Sequence, residues 1–429
     1  VTTALTMATF LVAFVLIATE RVHRVAAALG GVAVMVLLGV VDTHSAFFNE
    51  KTGVDWNVIF LLLGMMITVS VLKHTGVFDY LAIWAAKKSR GRSFRLMIIL
   101  VLLTAVVSAF LDSVTVMLLV APVTLAVCQR LRLPVVPFLI AEVLAANIGG
   151  TATLIGDPPN IMIGSRAGLS FTDFLLNLAP ITVVLLVVFI VLCRVLFRKA
   201  FLDAENHLAE VMELDGKDTI HDHHLLRRCL IVTGAVVIAF ILHGAIGIGP
   251  AFVGLLGAGL MVLVSGTTAK QFLQEVDWST LVFFMGLFVM VGGLVNVGVI
   301  DTLGRAAIGV VGDDYLLAAV GLLVGSAVVG GMIDTIPFVA TTMPIVEELV
   351  ATVPDPEISR ALWWSLALGA DLGGNATAIG ASANVVAVGW AARSGHPISF
   401  WEFTKYGLVV TAVTIALSAL YVWLRYFAW

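Results

Sequence analysis

"NIGGTATLIGDPPN", residues 147–160, carries two asparagines, three glycines, two prolines, two threonines and an aspartate inside an otherwise apolar run. Glycine and proline are the poorest helix formers. A segment surrounded by lipid has no water to pair the backbone groups that such a break frees, so irregular backbone at membrane depth persists only against protein or a polar cavity. The stretch therefore predicts an interrupted helix turned toward the inside of the molecule, with Thr151, Thr153, Asp157 and Asn160 as donors and acceptors.

The rest of the chain supplies the membrane. Of 429 residues, 60% are hydrophobic and 12% charged, with mean hydropathy +1.07, against about 25% charged in soluble domains. This is an all-α polytopic membrane protein for which nucleic acid is not an expected partner; its net charge of -4 says little, because what matters is the side each charge occupies. Cys128, Cys193 and Cys229 stand singly, without metal or redox spacing, which argues against a disulfide framework. "HDHH", with His221, His223 and His224, lies in the long polar segment 200–226 and reads as part of a solvated linker, so no metal or other cofactor is assigned. No basic stretch precedes the first apolar segment, which is expected to be retained as a span.

Apolar runs near 3–19, 25–41, 56–72, 135–165, 174–193, 229–243, 251–266, 278–297, 362–392 and 406–424 predict about ten full spans. Two further runs, 96–128 and 315–346, are interrupted by an acid and turn-prone neighbours and predict re-entrant hairpins. With both termini outside, 19 of the 24 Lys and Arg residues fall on the cytoplasmic side; Lys51, Arg166, Arg305, Arg360 and Arg425 fall outside. That bias fits the positive-inside rule. The expected location is the inner (plasma) membrane, multi-pass.

The chain repeats itself. "DWNVIFLLLGMMITVSVLKHTGVFD" at 55–79 matches "DWSTLVFFMGLFVMVGGLVNVGVID" at 277–301, a shift of 222 that also carries Asp112 to Asp334 and Pro122 to Pro344. A shift of 224 carries Gly149, Thr153, Gly156 and Asn160 onto Gly373, Thr377, Gly380 and Asn384 of "DLGGNATAIGASAN". The expected units are 1–199, a cytoplasmic linker 200–226, and 227–429. Five crossings and one hairpin per unit put the second copy in upside down, the architecture of secondary transporters. The second break lacks the prolines and is expected to be gentler.

The hairpin tips "FLDSVT" at 110–115 and "MIDTIPF" at 332–338 place Asp112 and Asp334 at helix starts, with Ser113, Thr115 and Thr335 beside them. A helix cap explains such an aspartate, while the cost of a carboxylate in the membrane favours a functional role. Five acids lie at membrane depth, Asp112, Glu142, Asp157, Asp334 and Asp371, and all five are candidate proton carriers with no Lys or Arg among them. Asn147 matches Asp371, and Asp157 matches Ala381. Asp112 with Asp157, and Asp334 with Asp371, are expected to form two symmetry-related clusters. The second break adds Asn375, Thr377, Ser382 and Asn384.

These paired motifs resemble the ion transporter superfamily, in the branch that holds the ArsB arsenite permeases and the melanosomal P protein, with a citrate-transporter-like domain. The resemblance covers nearly the whole chain. It implies a homodimeric elevator transporter, with a scaffold from the spans near 3–72 and 229–297 and a transport domain from 96–193 and 315–424. It also implies that solute and ion meet at Asp112, Ser113, Thr115, Asn147, Thr151, Thr153, Asp157, Asn160, Asp334, Thr335, Asp371, Asn375, Thr377, Ser382 and Asn384. Related dicarboxylate carriers use Ser-Asn-Thr at the tips; Asp112 and Asp334 stand here instead and would repel a carboxylate.

The expected activity is secondary active efflux of a small inorganic solute such as arsenite or antimonite, driven by protons. Arsenous acid is uncharged at neutral pH, so hydroxyl, amide and carboxylate groups can hold it. The alternative is a Na+/H+ antiporter; an anion transporter is disfavoured by the aspartates. An intramembrane aspartyl protease lacks its GxGD context here, and no ATPase loop occurs, so ATP enters only through a separate ATPase subunit. The protein is not expected to be an enzyme.

Overall fold

A computed structural model describes residues 2–19, 22–49, 52–202, 220, 222–266, 268–312 and 314–428. Most of the linker, with Lys217 and His221, lies outside the described residues. The first half runs α1 (Thr2–Ala18), α2 (Arg24–Leu37), α3 (Thr43–Phe47), α4 (Trp56–Lys73), α5 (Val77–Ser89), α6 (Ser93–Ser108), α7 (Ser113–Arg130), α8 (Val135–Gly150), α9 (Pro158–Ala167), α10 (Phe171–Asn177), α11 (Ala179–Leu196) and α12 (Arg198–Leu202). The second runs α13 (His223–Ile246), α14 (Pro250–Ser265), α15 (Ala269–Glu275), α16 (Trp278–Asn296), α17 (Val299–Val311), α18 (Tyr315–Met332), α19 (Thr335–Val350), α20 (Pro356–Gly373), a 3-10 turn (Gly374–Ala376), α21 (Ser382–Arg393) and α22 (Phe400–Tyr426). Among the described residues there is no strand.

Among those residues, 7 helices are long and apolar enough to cross a membrane: α4, α7, α11, α13, α16, α18 and α22. The ten predicted spans are thus not recovered on length. α1, α2, α8 and α14 are apolar but shorter, and α7 and α18, read from sequence as hairpin arms, qualify. The tips are as predicted: α6 turns into α7 at Ala109–Asp112, and α18 into α19 at Ile333–Asp334.

Each "DW" pair opens a helix in the same way. Asp55 caps α4 by accepting from Asn57 and Val58 N–H at 3.0 and 3.3 Å, and Asp277 caps α16 by accepting from Thr280 N–H at 3.0 Å. The indoles reach back to the preceding short helix, Trp56 Nε1 to Phe47 O at 2.8 Å and Trp278 Nε1 to Leu273 O at 3.0 Å. The glycine that closes each motif has a physical reason too. Gly76 and Gly298 hold φ of 76° and 73°, left-handed values open to glycine, and swing the chain into α5 and α17. Those two 13-residue helices were read from sequence as connections.

The two equivalent helices point in opposite directions. One cavity touches the C-terminal end of α4, at Ser70 and Lys73, and the N-terminal end of α16, at Asp277 and Thr280. Another touches Asp55, Trp56 and Asn57 at the start of α4, and Phe288, Val291 and Gly292 far along α16. An 18-residue helix separates its ends by about 27 Å, so the cavities lie on opposite sides of the molecule.

The most extensive helix contacts pair α4 with α14, α13 with α14, α2 with α16 and α1 with α2, and set each hairpin against its own broken helix, α6 on α8 and α18 on α20. The glycines of the breaks serve this second contact. A Cβ on Gly149 would sit in the backbone of Ala105 on α6, and one on Gly373 in the backbone of Ala327 on α18. Neither has positive φ; close approach, more than unwinding, requires them.

Candidate functional site

The residues singled out from sequence fall into three sets. Asp112, Thr115, Asp334 and Ser382 line two adjoining cavities of about 120 and 410 Å³ at the hairpin tips. Both aspartates are helix caps: Asp112 accepts from Thr115 N–H at 2.9 Å and Thr115 Oγ1 at 2.6 Å, and Asp334 from Ile336 N–H at 3.0 Å and Ser382 Oγ at 2.6 Å. Capping and cavity lining coexist in one side chain, so neither sequence explanation excludes the other.

A second set ties each break to its hairpin. Thr153 Oγ1 donates to Ala109 O, and Thr377 Oγ1 to Gly331 O at 2.6 Å. Asn160 Nδ2 spans its own break to Gly150 O and Thr153 O, at 3.3 and 3.1 Å; Asn384 Nδ2 does the same to Gly374 O and Thr377 O, both at 2.8 Å. The freed carbonyls are thereby paired without water. Thr335 is buried with its methyl against Gly330 and Gly374.

The third set is buried between the halves. Asn147 Nδ2 donates to Asn375 Oδ1 at 2.9 Å and Asn384 Oδ1 at 3.0 Å, both in the other repeat, and Thr151 Oγ1 donates to Asn147 O at 2.9 Å. Asp371 lies beside Asn160 and Thr151 of the first repeat, with Asp157 next to it. Among the described residues no hydrogen bond joins Asp334 to Asp371; residues of one break are completed by the other repeat, and the charges of Asp371, Asp112 and Asp334 all reach Asp157, so the two expected clusters meet around it. Asp157 keeps its expected neighbourhood, since Ser113 Oγ at the first tip lies 3.5 Å from its Oδ1 and Asp112 is close by.

Asp157 differs from the capping aspartates. It stands at the start of α9 yet makes no side-chain cap bond, and it is 7% exposed. Glu142 stands apart, buried on α8 and accepting from Thr124 Oγ1 of α7 at 2.7 Å.

A base was missed in sequence. Arg24 was counted with a connection, but it lines both tip cavities, donates to Thr280 Oγ1 at 2.6 Å, and lies 3.7 Å from Asp277 and over the Phe283 ring. Lys73 in the same cavity pairs with Glu275 at 3.6 Å, and His74 Nε2 lies 3.0 Å from Glu275. Both cations are thus matched by acids, while no ion pair reaches Asp112 or Asp334 among the described residues. The tip cavities carry excess negative charge whenever those two are ionised. Arg166, placed at the outer rim from sequence, pairs with Glu347 of α19 at 2.7 Å beside the opposite cavity of about 600 Å³.

Repeated broken helices, hairpins and buried polar groups between them define a multi-pass membrane transporter. The citrate transporter family profile matches residues 14–369, and the chain belongs to that family, within the ion transporter superfamily. An uncharacterized transporter of Mycobacterium tuberculosis is 53% identical over 418 residues, covering 97% of each chain. The P protein of Homo sapiens is 35% identical over 505 residues, covering 98% of this chain and 60% of that one. In fold the chain is similar to the crystal structure of the YdaH transporter of Alcanivorax borkumensis, with TM-score 0.60, 14% identity, and coverage of 100% of this chain and 99% of that chain.

Proposed function

We propose that this transporter couples inward proton flow to efflux of a small uncharged or weakly acidic inorganic solute of the arsenite or antimonite type. The observation that carries this is Asp157: a buried carboxylate at a helix start that caps nothing, beside the hairpin tip, without a basic partner among the described residues. Intramembrane acids so placed serve proton and ion traffic. The charge of the tip cavities favours the same solute class. Citrate, named by the family, would bring three carboxylates toward Asp112 and Asp334 while Arg24 and Lys73 are already paired. An uncharged hydroxylated solute meets acceptors there without that repulsion.

In this proposal α1, α2, α4, α13, α14 and α16 are the fixed scaffold, and the hairpins with the broken helices move as an elevator, within a homodimer in the plasma membrane with both termini outside. A second transport class, Na+/H+ exchange, draws support from the Asp371 carboxylate with the side-chain oxygens of Thr151 and Asn160 beside it.

The test is solute-dependent proton movement in proteoliposomes, with arsenite, Na+, chloride and citrate compared. Arsenite should move protons, Asp157→Asn should lower gradient-driven flux to background at matched protein levels, and Asp55→Asn, whose carboxylate caps α4 on the side opposite the hairpin tips, should leave flux intact. Full gradient-driven flux in Asp157→Asn sinks the proton role, and proton movement with Na+ alone replaces arsenite by the second class.

A further inference from the structure

The shift of 224 that superposes the breaks carries Asn147, Thr151 and Asn160 onto Asp371, Asn375 and Asn384. Asn147 reaches across to Asn375 and Asn384, so the same relation in reverse sets Asp371 opposite Thr151 and Asn160, where the structure places it. The chemistry on the two sides is not equivalent. Asn384 spends both N–H on Gly374 O and Thr377 O and offers Oδ1, which accepts from Asn147 Nδ2 at 3.0 Å.

Asn160 likewise spends both N–H on Gly150 O and Thr153 O and has Oδ1 left over. Flipping its amide would aim Oδ1 at two carbonyl oxygens, so the assignment is fixed by its neighbours. The Thr151 hydroxyl is given to Asn147 O at 2.9 Å. The Thr151 hydroxyl and the Asn160 amide are the donors nearest the Asp371 carboxyl, yet they are engaged by Asn147 O, Gly150 O and Thr153 O, so both carboxyl oxygens and Asn160 Oδ1 are buried without a hydrogen bond of ordinary geometry. Two sets of acceptors thus meet where the mate position has an N–H, and orphaned acceptors in a dry interior are costly.

We propose that Asp371 is a proton-carrying latch between the repeats: its protonated carboxyl donates to Asn160 Oδ1 as Asn147 Nδ2 donates to Asn384 Oδ1, and loss of the proton loosens the contact between the broken helices. One proton pairs the Asp371 hydroxyl oxygen with Asn160 Oδ1 and leaves one carbonyl oxygen of Asp371 unpaired, as Asn147 Oδ1 is at the mate position. Asp157 is the charged group that faces this position from the first break. α8 brings Glu142, which is engaged by Thr124; α19 brings Asp334, whose charge reaches Asp157, and Glu347, which is paired with Arg166 of α9; Thr411 of α22 reaches only Leu372 O. The proposal rests on proton-coupled transport only for its place in a cycle, and its test uses no solute.

Infrared difference spectra of the purified protein should show a protonated carboxyl C=O band, at a pH where ordinary carboxylates are ionised, that is absent in Asp371→Asn. Asparagine is accommodated at the mate position by Asn147, so this variant should fold. Its Tm should be insensitive to a pH rise that lowers the Tm of the wild type by several degrees. The exchange Asn147→Asp with Asp371→Asn should restore both the band and the pH-dependent Tm. An unchanged band in Asp371→Asn, equal pH dependence of Tm in both proteins, or a saturable Na+-induced Tm rise that Asp371→Asn removes would each overturn the latch. If arsenite transport fails while the band behaves as expected, the latch stands and only the solute changes.

Discussion

At Asp157 the backbone turns with φ −144° and ψ 141°; at Ala381, its counterpart in the second repeat, it turns with φ −138° and ψ 144°. Pro158 and Pro159 follow the first, Ser382 and Ala383 the second, yet at this position the break expected to be gentler has the same backbone, although a 3-10 turn opens the second break and not the first. What the two share is the glycine pressed against a hairpin arm, Gly149 and Gly373, and the asparagine whose amide spans the gap, Asn160 and Asn384. Those residues carry the shape. The position at the start of the following helix is then free to differ, and there one repeat keeps an acid while the other keeps alanine.

Substitutions at paired positions would break or sharpen this comparison. The largest effect is expected for Gly149→Ala and Gly373→Ala, each of which drives a Cβ into hairpin backbone. We expect each to cost about 3 kcal/mol or more, read as a loss of Tm and of folded yield. A tolerated Gly149→Ala beside a disruptive Gly373→Ala would show that the repeats do not share their packing. Next is Asn147→Ala, which strands Asn375 Oδ1 and Asn384 Oδ1 between the halves and should cost about 2 kcal/mol, measured in detergent melts. The smallest effect is expected for Pro159→Ala: because Ala383 occupies the equivalent place on an equivalent backbone, the change should stay within about 1 kcal/mol. A large loss there would mean that proline is needed to hold the first break.

Much of this was legible in advance because glycine, proline and asparagine inside an apolar run admit few explanations. The broken helices, the hairpin tips at Asp112 and Asp334, and the bonds of Thr153 and Thr377 follow from that economy. Three things were not legible. Counting basic residues by side puts Arg24 in a connection, because the count contains no information on whether a guanidinium folds back over Phe283 toward Asp277. The crosswise pairing of Asn147 and Asp371 depends on how two distant segments meet, which no local pattern encodes. α5 and α17 mix apolar and polar residues over 13 positions, too short for a span and too polar to stand out beside one.

The crosswise amides also bear on why one chain holds both repeats. A symmetric dimer of identical single repeats must carry the same side chain at both exchange positions: asparagine twice, with nothing to titrate, or aspartate twice, with both crossings lacking an N–H. Fusion lifts that restriction. Once the copies are encoded separately, Asn147 can remain a permanent clasp while Asp371 becomes one that a proton opens and closes. Near-symmetry in this molecule is thus a division of labour, and the exchange of amide for acid is one place where the two copies cease to be interchangeable.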